Sequence, residues 1–442
     1  MRVLRTTLAG LVSGALIFSG AALTADSASA APPQAVVAAK PKPRPFVVAQ
    51  GVTINNPLGN RASRRVNLDK IRRAIRNSPR GSRIAIASWN IRSDDTVRDL
   101  IAAHRRGVGV RVIIDRGNAN PKLPNPSFDR MARAFTGMGN AKRTPAMRSV
   151  ARKCAGACRG SRGIAHTKMY LFSKVGSRHS IVMYGSANLT ELSAGYQWND
   201  LYTVVNRPKV YNFSLAVFNQ MLAGRTVRNA YVRRNFGNLD LGFFPYKGSN
   251  ATGDPVLKVL DRVSCKGVAA GHGTNGRTNI RIAQTAINGA RGIVLSRKLH
   301  NLWDAGCNIK VIYAVMGKQV LREFRRGGPR GGIPFRQVAQ DFNNDWVYER
   351  YLHTKVLALS GNWNGNPRAE ISWNGSANWT QVALDSDDTD ARLLGARVRS
   401  RYSAFVNRWF ANPPRSRLYS LAATGRIAPP PGLDPNRLIQ VY

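Results

Sequence analysis

The chain of 442 residues carries a formal net charge of +44, with 67 lysines and arginines against 23 aspartates and glutamates. This length excludes a single small domain and predicts two domains or one large domain with two lobes. The charge predicts attraction to polyanions such as nucleic acids, anionic lipid headgroups or phosphate esters. It does not choose among them, and a generally basic surface would give the same value.

The first 46 residues have the composition of an export signal followed by a linker. A charged start precedes a short apolar run, and a small-residue cleavage site follows at Ala28-Ser29-Ala30. We therefore predict a signal peptide over residues 1–30 and a secreted protein, because the apolar run is too short to span a bilayer. Residues 31–46 are rich in proline and lysine and predict an extended linker.

The remaining residues predict two α/β lobes, over 47–250 and 251–442. The first half reads as helix, strand, helix and strand over about 66–76, 83–89, 95–106 and 110–115. The second half repeats this order over about 255–263, 278–284, 289–305 and 308–313. A strand, a crossover helix and a second strand of these lengths form a βαβ unit with parallel strands. We therefore expect two similar lobes, each with a mixed β-sheet flanked by helices.

Four cysteines form an even set in a chain that we expect to be exported, so disulfides are the default expectation. Sequence alone leaves their connectivity open. The pairing that we favour is Cys154 with Cys158 and Cys265 with Cys307. A zinc site is the weaker alternative because no second Cys/His pair stands at a suitable spacing.

Each half contains the same two short motifs. His166-Thr167-Lys168 is followed by Gly-Ser-Ala-Asn at 185–188, and His353-Thr354-Lys355 is followed by the same four residues at 375–378. One His-x-Lys sequence would carry little meaning. Two such matches among six histidines, each followed by an identical tetrapeptide, indicate an internal duplication.

The spacing of these motifs suits phosphodiester chemistry. Residues i and i+2 of a strand face the same side, so each histidine and its lysine are expected to project together. If the halves face each other, Lys168 and Lys355 can neutralise the non-bridging oxygens of one phosphodiester. One imidazole can attack phosphorus while the other protonates the leaving oxygen and later activates water. Hydrogen bonds are expected from the side chains of the tetrapeptides, Ser186, Asn188, Ser376 and Asn378.

The duplicated motifs resemble those of the phospholipase D superfamily, in which a repeated H-x-K-x4-D motif is followed by G-S-x-N. The resemblance extends from about residue 50 to 410. It implies one active site at the interface of two lobes, a phosphohistidine intermediate, His166 as nucleophile and His353 as acid. Acidic residues downstream of each G-S-x-N orient the histidines in this family. Equal offsets place them at Asp200 and Asp390, with Asp387 and Asp388 as competitors for the second position.

The chain departs from the family pattern in two respects. Serines, Ser173 and Ser360, replace the aspartate of both H-x-K-x4-D motifs. The stretch between each histidine and its G-S-x-N is also longer than usual and has room for hairpin turns at 175–179 and 361–367. Since the family aspartate braces the motif and does not contact phosphate, we expect activity to survive its replacement.

The leading interpretation is a monomeric secreted phosphodiesterase that hydrolyses phospholipids at anionic surfaces. It needs no cofactor, metal or obligate protein partner, because the protein supplies the cations. One alternative is a secreted non-specific endonuclease, which predicts an open basic groove across both motifs. Another is a non-catalytic polyanion or cell-surface binder, for which replacement of His166 would change nothing. Lipid activity predicts an apolar rim around the pocket.

Overall fold

The computed structural model describes residues 46–246 and 253–414, which belong to one compact unit. The predicted signal peptide and all of the predicted linker except Phe46 lie outside these residues. In the first half the elements are β1 (Gly51–Ile54), α1 (Arg61–Arg76), β2 (Arg83–Ala87), α2 (Asp94–Arg105), β3 (Gly109–Asp115), α3 (Pro126–Thr136), β4 (Val150–Cys154), β5 (Met169–Val175), β6 (Arg178–Gly185), α4 (Glu191–Gly195), β7 (Gln197–Trp198), β8 (Asp200–Val204), α5 (Pro208–Ala223), β9 (Val232–Asn235) and β10 (Leu239–Phe243).

The second half is built in a similar order. Its elements are α6 (Pro255–Asp261), β11 (Val263–Ser264), β12 (Asn279–Ile287), α7 (Gly289–Asp304), β13 (Asn308–Met316), α8 (Lys318–Arg325), β14 (Phe335–Gln337), β15 (Ala339–Gln340), β16 (Arg350–Leu352), β17 (Val356–Trp363), β18 (Asn366–Gly375), α9 (Gln381–Asp385), β19 (Thr389–Leu394) and α10 (Ala396–Ala411). Among the residues that the structure describes, no helix is both long and apolar enough to cross a bilayer.

Local sequence signals account for the elements around the predicted βαβ units. The side chains of Asn60 and Ser93 accept hydrogen bonds from backbone N–H groups in the first turns of α1 and α2. Gly107 follows α2 with a φ of 87°, a conformation that glycine adopts without strain. The adjacent strands β2 and β3 pair in parallel, as do β12 and β13, so both predicted units are confirmed.

Two large mixed sheets organise the molecule. The first has the order β1-β8-β6-β5-β2-β3-β4, and the second has the order β14-β13-β12-β17-β18-β19-β10-β9, with β11 beside β17. The α/β class with mixed sheets and flanking helices is therefore confirmed. The strands β9 and β10 come from the first half of the sequence but pair into the second sheet. The domain boundaries at 47–250 and 251–442 stay predictions.

The hydrophobic core has three main parts. One lies between the first sheet and α1, α2 and α3, and another lies between the second sheet and α6, α7 and α8. The central part combines side chains of both sheets with α5 and α10, and here Trp198 and Trp409 meet edge to face with their ring centroids 5.0 Å apart. A small third sheet, β15-β16-β7, joins strands of both halves. The two halves are thus held together by shared core and by backbone hydrogen bonds.

Both expected disulfides are present, which confirms the pairing of Cys154 with Cys158 and of Cys265 with Cys307. We expect replacement of Cys265 and Cys307 by alanine to lower the free energy of unfolding by about 4 kcal/mol, because this disulfide closes a long loop. The same replacement of Cys154 and Cys158 is expected to lower it by about 2 kcal/mol, because that loop is short. Urea-induced unfolding under non-reducing conditions measures both values. A larger loss for the short loop would contradict the loop-length argument.

Candidate active site

The two His-Thr-Lys segments lie directly before β5 and β17, and the two Gly-Ser-Ala-Asn segments begin at the ends of β6 and β18. The expectation that the histidines lie within strands is therefore wrong by a few residues, although β5 and β6 pair as a hairpin, as do β17 and β18. A Cβ atom at Gly185 would collide with the carbonyl oxygen of Asp200, and one at Gly375 with that of Thr389. Both glycines are thus required because the neighbouring strand passes so close.

Each histidine segment is held by the opposite half of the chain. The backbone N–H of His166 donates to the carbonyl of Asp387 (3.0 Å), and that of His353 donates to the carbonyl of Trp198 (2.9 Å). The hydroxyl of Thr354 also donates to Trp198, and the hydroxyls of Thr167 and Thr389 are hydrogen-bonded to each other (2.6 Å). This reciprocal pairing brings both motifs to one site.

The two imidazoles have different partners, and both partners come from the opposite half. Nδ1 of His166 lies 2.9 Å from a carboxylate oxygen of Asp388, which also accepts a hydrogen bond from Ser376. Nδ1 of His353 lies 2.8 Å from the amide oxygen of Asn199, which also accepts from Ser186. One histidine therefore faces a charged partner and the other a neutral partner.

The amide of Asn199 has a fixed orientation, because its nitrogen donates to the backbone carbonyl and the hydroxyl of Ser193. Its oxygen therefore faces His353, so Nδ1 of that ring carries a proton and donates it to the amide. The carboxylate of Asp388 likewise accepts from Nδ1 of His166. In both rings this leaves Nε2 to react.

The placement of the orienting residues at Asp200 and Asp390 is wrong. Asp200 accepts hydrogen bonds from Asn374 and Tyr402, both at 2.9 Å, and Asp390 pairs with Arg233 at 2.8 Å. Equal offsets fail because Ser186 contacts its partner 13 residues later, whereas Ser376 contacts Asp388 12 residues later.

The counterpart of Asp388 in the first half is therefore Asn199, which sequence reasoning missed. The sequence signal that could have identified Asn199 was its position directly before Asp200. Asp388 itself was among the competitors named from the sequence.

The lysines and the tetrapeptide side chains lie at the same buried site. The ammonium groups of Lys168 and Lys355 each donate to the carbonyl of the histidine two residues earlier. Ser186 and Ser376 are fully buried and hold the two partners of the histidines. In the described part of the chain, the side-chain oxygens of Asn188 and Asn378 are buried without a hydrogen-bond partner.

Burial and crowding of positive charge shift the pKa values of the site. Desolvation, and then the charge of Lys168, lower the pKa of His166 to about 4 despite the opposing effect of Asp388. Desolvation lowers the pKa of Lys168 to about 7 and holds the pKa values of His353 and Lys355 well below their ordinary values. An anion bound between these groups would favour their charged forms and raise all four pKa values.

The carboxylate of Asp388 stays ionised at this site. Burial by itself would raise its pKa, but the neighbouring His166 and Lys168 and the hydroxyl of Ser376 hold the pKa below its ordinary value. The site therefore contains one fixed negative charge directly behind the imidazole of His166.

Both histidines line a cavity of about 430 Å³. Trp89 stands beside His166 with its ring centroid 5.9 Å away, and Tyr351 stands 6.0 Å from His353. The lining is otherwise formed by small apolar, amide and hydroxyl residues, and the half-exposed Val382 lies at its rim. Four further tryptophans are buried in the core, namely Trp198, Trp363, Trp373 and Trp379.

The two serines that replace the family aspartate lie away from the cavity. The hydroxyl of Ser173 accepts a hydrogen bond from the backbone of Arg83 (2.8 Å). The hydroxyl of Ser360 accepts from the backbone of Gly273 and donates to Glu370. These hydrogen bonds therefore stabilise β5 and β17, which contain the two serines. Among the described residues, neither serine is hydrogen-bonded to a histidine of the motifs. Elsewhere, the carboxylates of Asp341, Asp345 and Glu349 lie close enough together to hold a cation, in a loop separate from the histidines.

Comparison with known proteins agrees with this geometry. A family model described as cardiolipin synthase, PLD-like domain, matches residues 71–222, which include the first histidine motif and its tetrapeptide. Residues 71–222 are therefore similar to a PLD-like domain. The second half carries a second copy of both motifs, which lies opposite the first. No curated protein matches the sequence.

Solved structures of other proteins show the same fold. Polyphosphate kinase from Porphyromonas gingivalis is 14% identical with a TM-score of 0.52, and the match covers 83% of this chain and 53% of that one. The chain thus spans about half the length of that kinase. Phosphatidylserine synthase from Haemophilus influenzae Rd KW20 is 13% identical with a TM-score of 0.52, and the match covers 83% of this chain and 88% of that one.

The pKa of Lys168 predicts how this site binds anions at different pH. Below pH 7 the free lysine is charged, whereas above pH 7 an anion must recruit a proton to restore that charge. We expect the affinity for sulfate, whose charge is constant between pH 5 and pH 9, to fall by up to about tenfold per pH unit above pH 7.

Calorimetric titration at several pH values measures this dependence, and the Lys168→Met variant should lose the part that comes from this lysine. An affinity that stays constant or rises from pH 6 to pH 9 would contradict the assigned environment of Lys168.

Proposed function

We propose that this protein is a secreted phospholipase D-type phosphodiesterase that acts on phospholipids. The observation that carries the proposal is the lining of the cavity that both histidines share. Among its described lining residues there is no lysine, arginine, aspartate or glutamate, although the protein has a net charge of +44. Such a cavity suits a diester whose single phosphate reaches the motif lysines and whose substituents are apolar or uncharged.

The same observation argues against a nuclease. A nucleic acid presents further phosphates on both sides of the bond that is cleaved, and proteins bind these with a groove of cations. Around the catalytic cavity the described lining instead offers Trp89, Ile164, Val315 and Val382. The high positive charge therefore lies elsewhere on the molecule and does not form the walls of this cavity.

The proposed reaction proceeds in two steps. Binding of the anionic substrate favours the doubly protonated form of His353, with a second proton on Nε2. Nε2 of His166 attacks phosphorus, the bond to the leaving oxygen breaks, and Nε2 of His353 gives its proton to that oxygen. Nε2 of His353 then takes a proton from water, the resulting hydroxide attacks phosphorus, and the bond between phosphorus and His166 breaks. Lys168 and Lys355 neutralise the negative charge on the non-bridging oxygens in both steps.

The different partners of the two histidines support this division of roles. Phosphorylated His166 carries a positive ring, which the carboxylate of Asp388 stabilises at 2.9 Å. His353 has only the neutral amide of Asn199, so its protonated form is a stronger acid and releases its proton more readily. The asymmetry therefore supports a nucleophile in the first motif and an acid in the second.

Secretion is part of the proposal. It is supported by the N-terminal sequence and by two disulfides, which persist in oxidising compartments. An alcohol could also replace water in the second step, which would transfer the phosphatidyl group. The names of the matching cardiolipin synthase family and of the phosphatidylserine synthase structure make this transfer the second candidate activity.

A side-by-side assay tests the proposal. The purified chain without its first 30 residues is incubated without added metal on phospholipid vesicles, with and without glycerol, and on plasmid DNA. We expect headgroup release from vesicles that disappears in His166→Ala and persists in His179→Ala, because His179 lies exposed near the start of β6. A glycerol-dependent product would identify transfer. DNA cleavage that depends on His166, or no reaction on either substrate, would overturn the phospholipid proposal.

A further inference from the structure

A second cleft lies at the other end of the second sheet from the catalytic cavity. It has a volume of about 850 Å³ and is lined by the starts of β12 and β13, the end of α7 and the segment before β14. Asn279 lines this cleft, whereas Ala286 of the same strand lines the catalytic cavity. Seven residues of extended strand separate the two sites by roughly 23 Å. The cleft is therefore distinct from the active site.

Five cationic side chains surround the cleft, and one carboxylate, that of Asp304, accompanies them. The cations are Lys266, Arg277, Arg281, Lys310 and Arg330. None of the five takes part in an ion pair within the described residues, whereas many other arginines of the molecule do. Asp304 lies nearest to His300, at 3.5 Å. The positive charge of the cleft is therefore not compensated by the protein.

Two of the cations are close enough to repel each other. Arg281 and Lys310 are direct neighbours on the parallel strands β12 and β13, where like charges repel. Burial, and then the charge of Arg399, lower the pKa of Arg281 to about 10. Burial, and then the charge of Arg281, also lower the pKa of Lys310. A bound anion would relieve this repulsion.

The remaining lining can hold and orient such an anion. Arg330 lies over the indole of Trp303 with its guanidinium carbon 3.7 Å from the ring centroid, and it also donates to the carbonyl of Cys307. This arrangement fixes one cation at the wall of the cleft. The side chains of Thr274, Asn275, Asn279 and Asn308 supply hydrogen-bonding groups between the cations. The volume lies within the range of small-molecule sites and exceeds what a single phosphate needs.

We propose that this cleft binds a compact anion with two or more phosphate groups, either free or as the headgroup of an anionic lipid. The concave shape and the size favour such a ligand over a long polymer, which would extend along an open groove. The proposal does not depend on the reaction catalysed at the histidines, because the two sites share no residue. A specific ligand at this cleft would account for part of the high positive charge of the protein.

The test compares two variants that lose the same charge. One replaces Arg277 and Lys310 by glutamine in the cleft, and the control replaces Lys174 and Arg178, which lie exposed at the turn between β5 and β6. Tripolyphosphate probes free anions by calorimetry, in the His166→Ala background. Vesicles with and without cardiolipin, whose headgroup carries two phosphates, probe headgroups by sedimentation. We expect the cleft variant to bind at least one of these probes about 30-fold more weakly, since each cation near an anionic group contributes about fivefold.

The two probes distinguish the sources of the ligand. Weakening with tripolyphosphate alone identifies a soluble ligand, and weakening with vesicles alone identifies a headgroup. A charge-retaining variant, Arg277→Lys with Lys310→Arg, should bind nearly as well as the parent and unfold at the same temperature. Equal weakening in the control variant, or unchanged affinity in the cleft variant, would overturn the proposal. The proposal would also be overturned if a single-stranded oligonucleotide bound more tightly than tripolyphosphate and lost affinity in the cleft variant.

Discussion

Replacement of His166 by alanine is expected to lower kcat/KM for a simple phosphodiester such as bis(p-nitrophenyl) phosphate by at least about 10⁴-fold. The reason is that no other group in the described site can form the bond to phosphorus with a carboxylate placed behind it, as Asp388 is behind His166. Steady-state release of p-nitrophenol measures the loss. The His179→Ala variant is the matched control and should retain full activity, because this exposed histidine lies far along the hairpin from the motif. Substantial activity in His166→Ala would move the nucleophile to another residue.

Replacement of Asp388 by asparagine is expected to lower kcat by about 10³-fold to 10⁴-fold. The corresponding change in the catalytic triad of serine proteases has an effect of this size, because an amide can select the wrong histidine tautomer and cannot stabilise a positive ring. The effect should fall mainly on kcat, since Asp388 lies behind His166 and does not face the cavity.

Asp390→Asn is the matched control for this prediction. Asp390 lies two residues later, in β19, and pairs with Arg233, so its replacement should change stability more than kcat. If Asp390→Asn lowered kcat as much as Asp388→Asn, the assignment of the partner of His166 would be wrong.

The sequence predicted most of the fold because its local signals and its duplication agree. The apolar strands and the helical segments between them indicate the observed βαβ unit, and the second half repeats the pattern. The favoured disulfide pairing is also observed, although the sequence alone left the connectivity open. By contrast, the entry of β9 and β10 into the second sheet has no local signal, because strand pairing over such distances depends on tertiary packing.

The sequence predicted which residues form the site but not the hydrogen bonds among them. The duplicated motifs identified both histidines, both lysines and the tetrapeptides. The partners of the imidazoles come from the opposite half, so the sequence named Asp388 as a candidate without showing which histidine it contacts. The equal-offset argument that led from Asp200 to Asp390 failed because the two halves differ in length here. The segment from Ser376 to its partner is one residue shorter than the segment from Ser186 to its partner. The asymmetry between Asn199 and Asp388 became visible only when both contacts were known.

The most direct test of the proposed mechanism is to trap the covalent intermediate. In a His353→Ala variant, bis(p-nitrophenyl) phosphate supplies a leaving group that needs no acid, while the group that activates water in the second step is missing. The account predicts a burst of about one equivalent of p-nitrophenol, followed by slow turnover, and a phosphoryl adduct on His166 in peptides analysed by mass spectrometry under alkaline conditions. An adduct on any other residue, or cleavage without a burst and without an adduct, would contradict the assignment of His166 as the nucleophile.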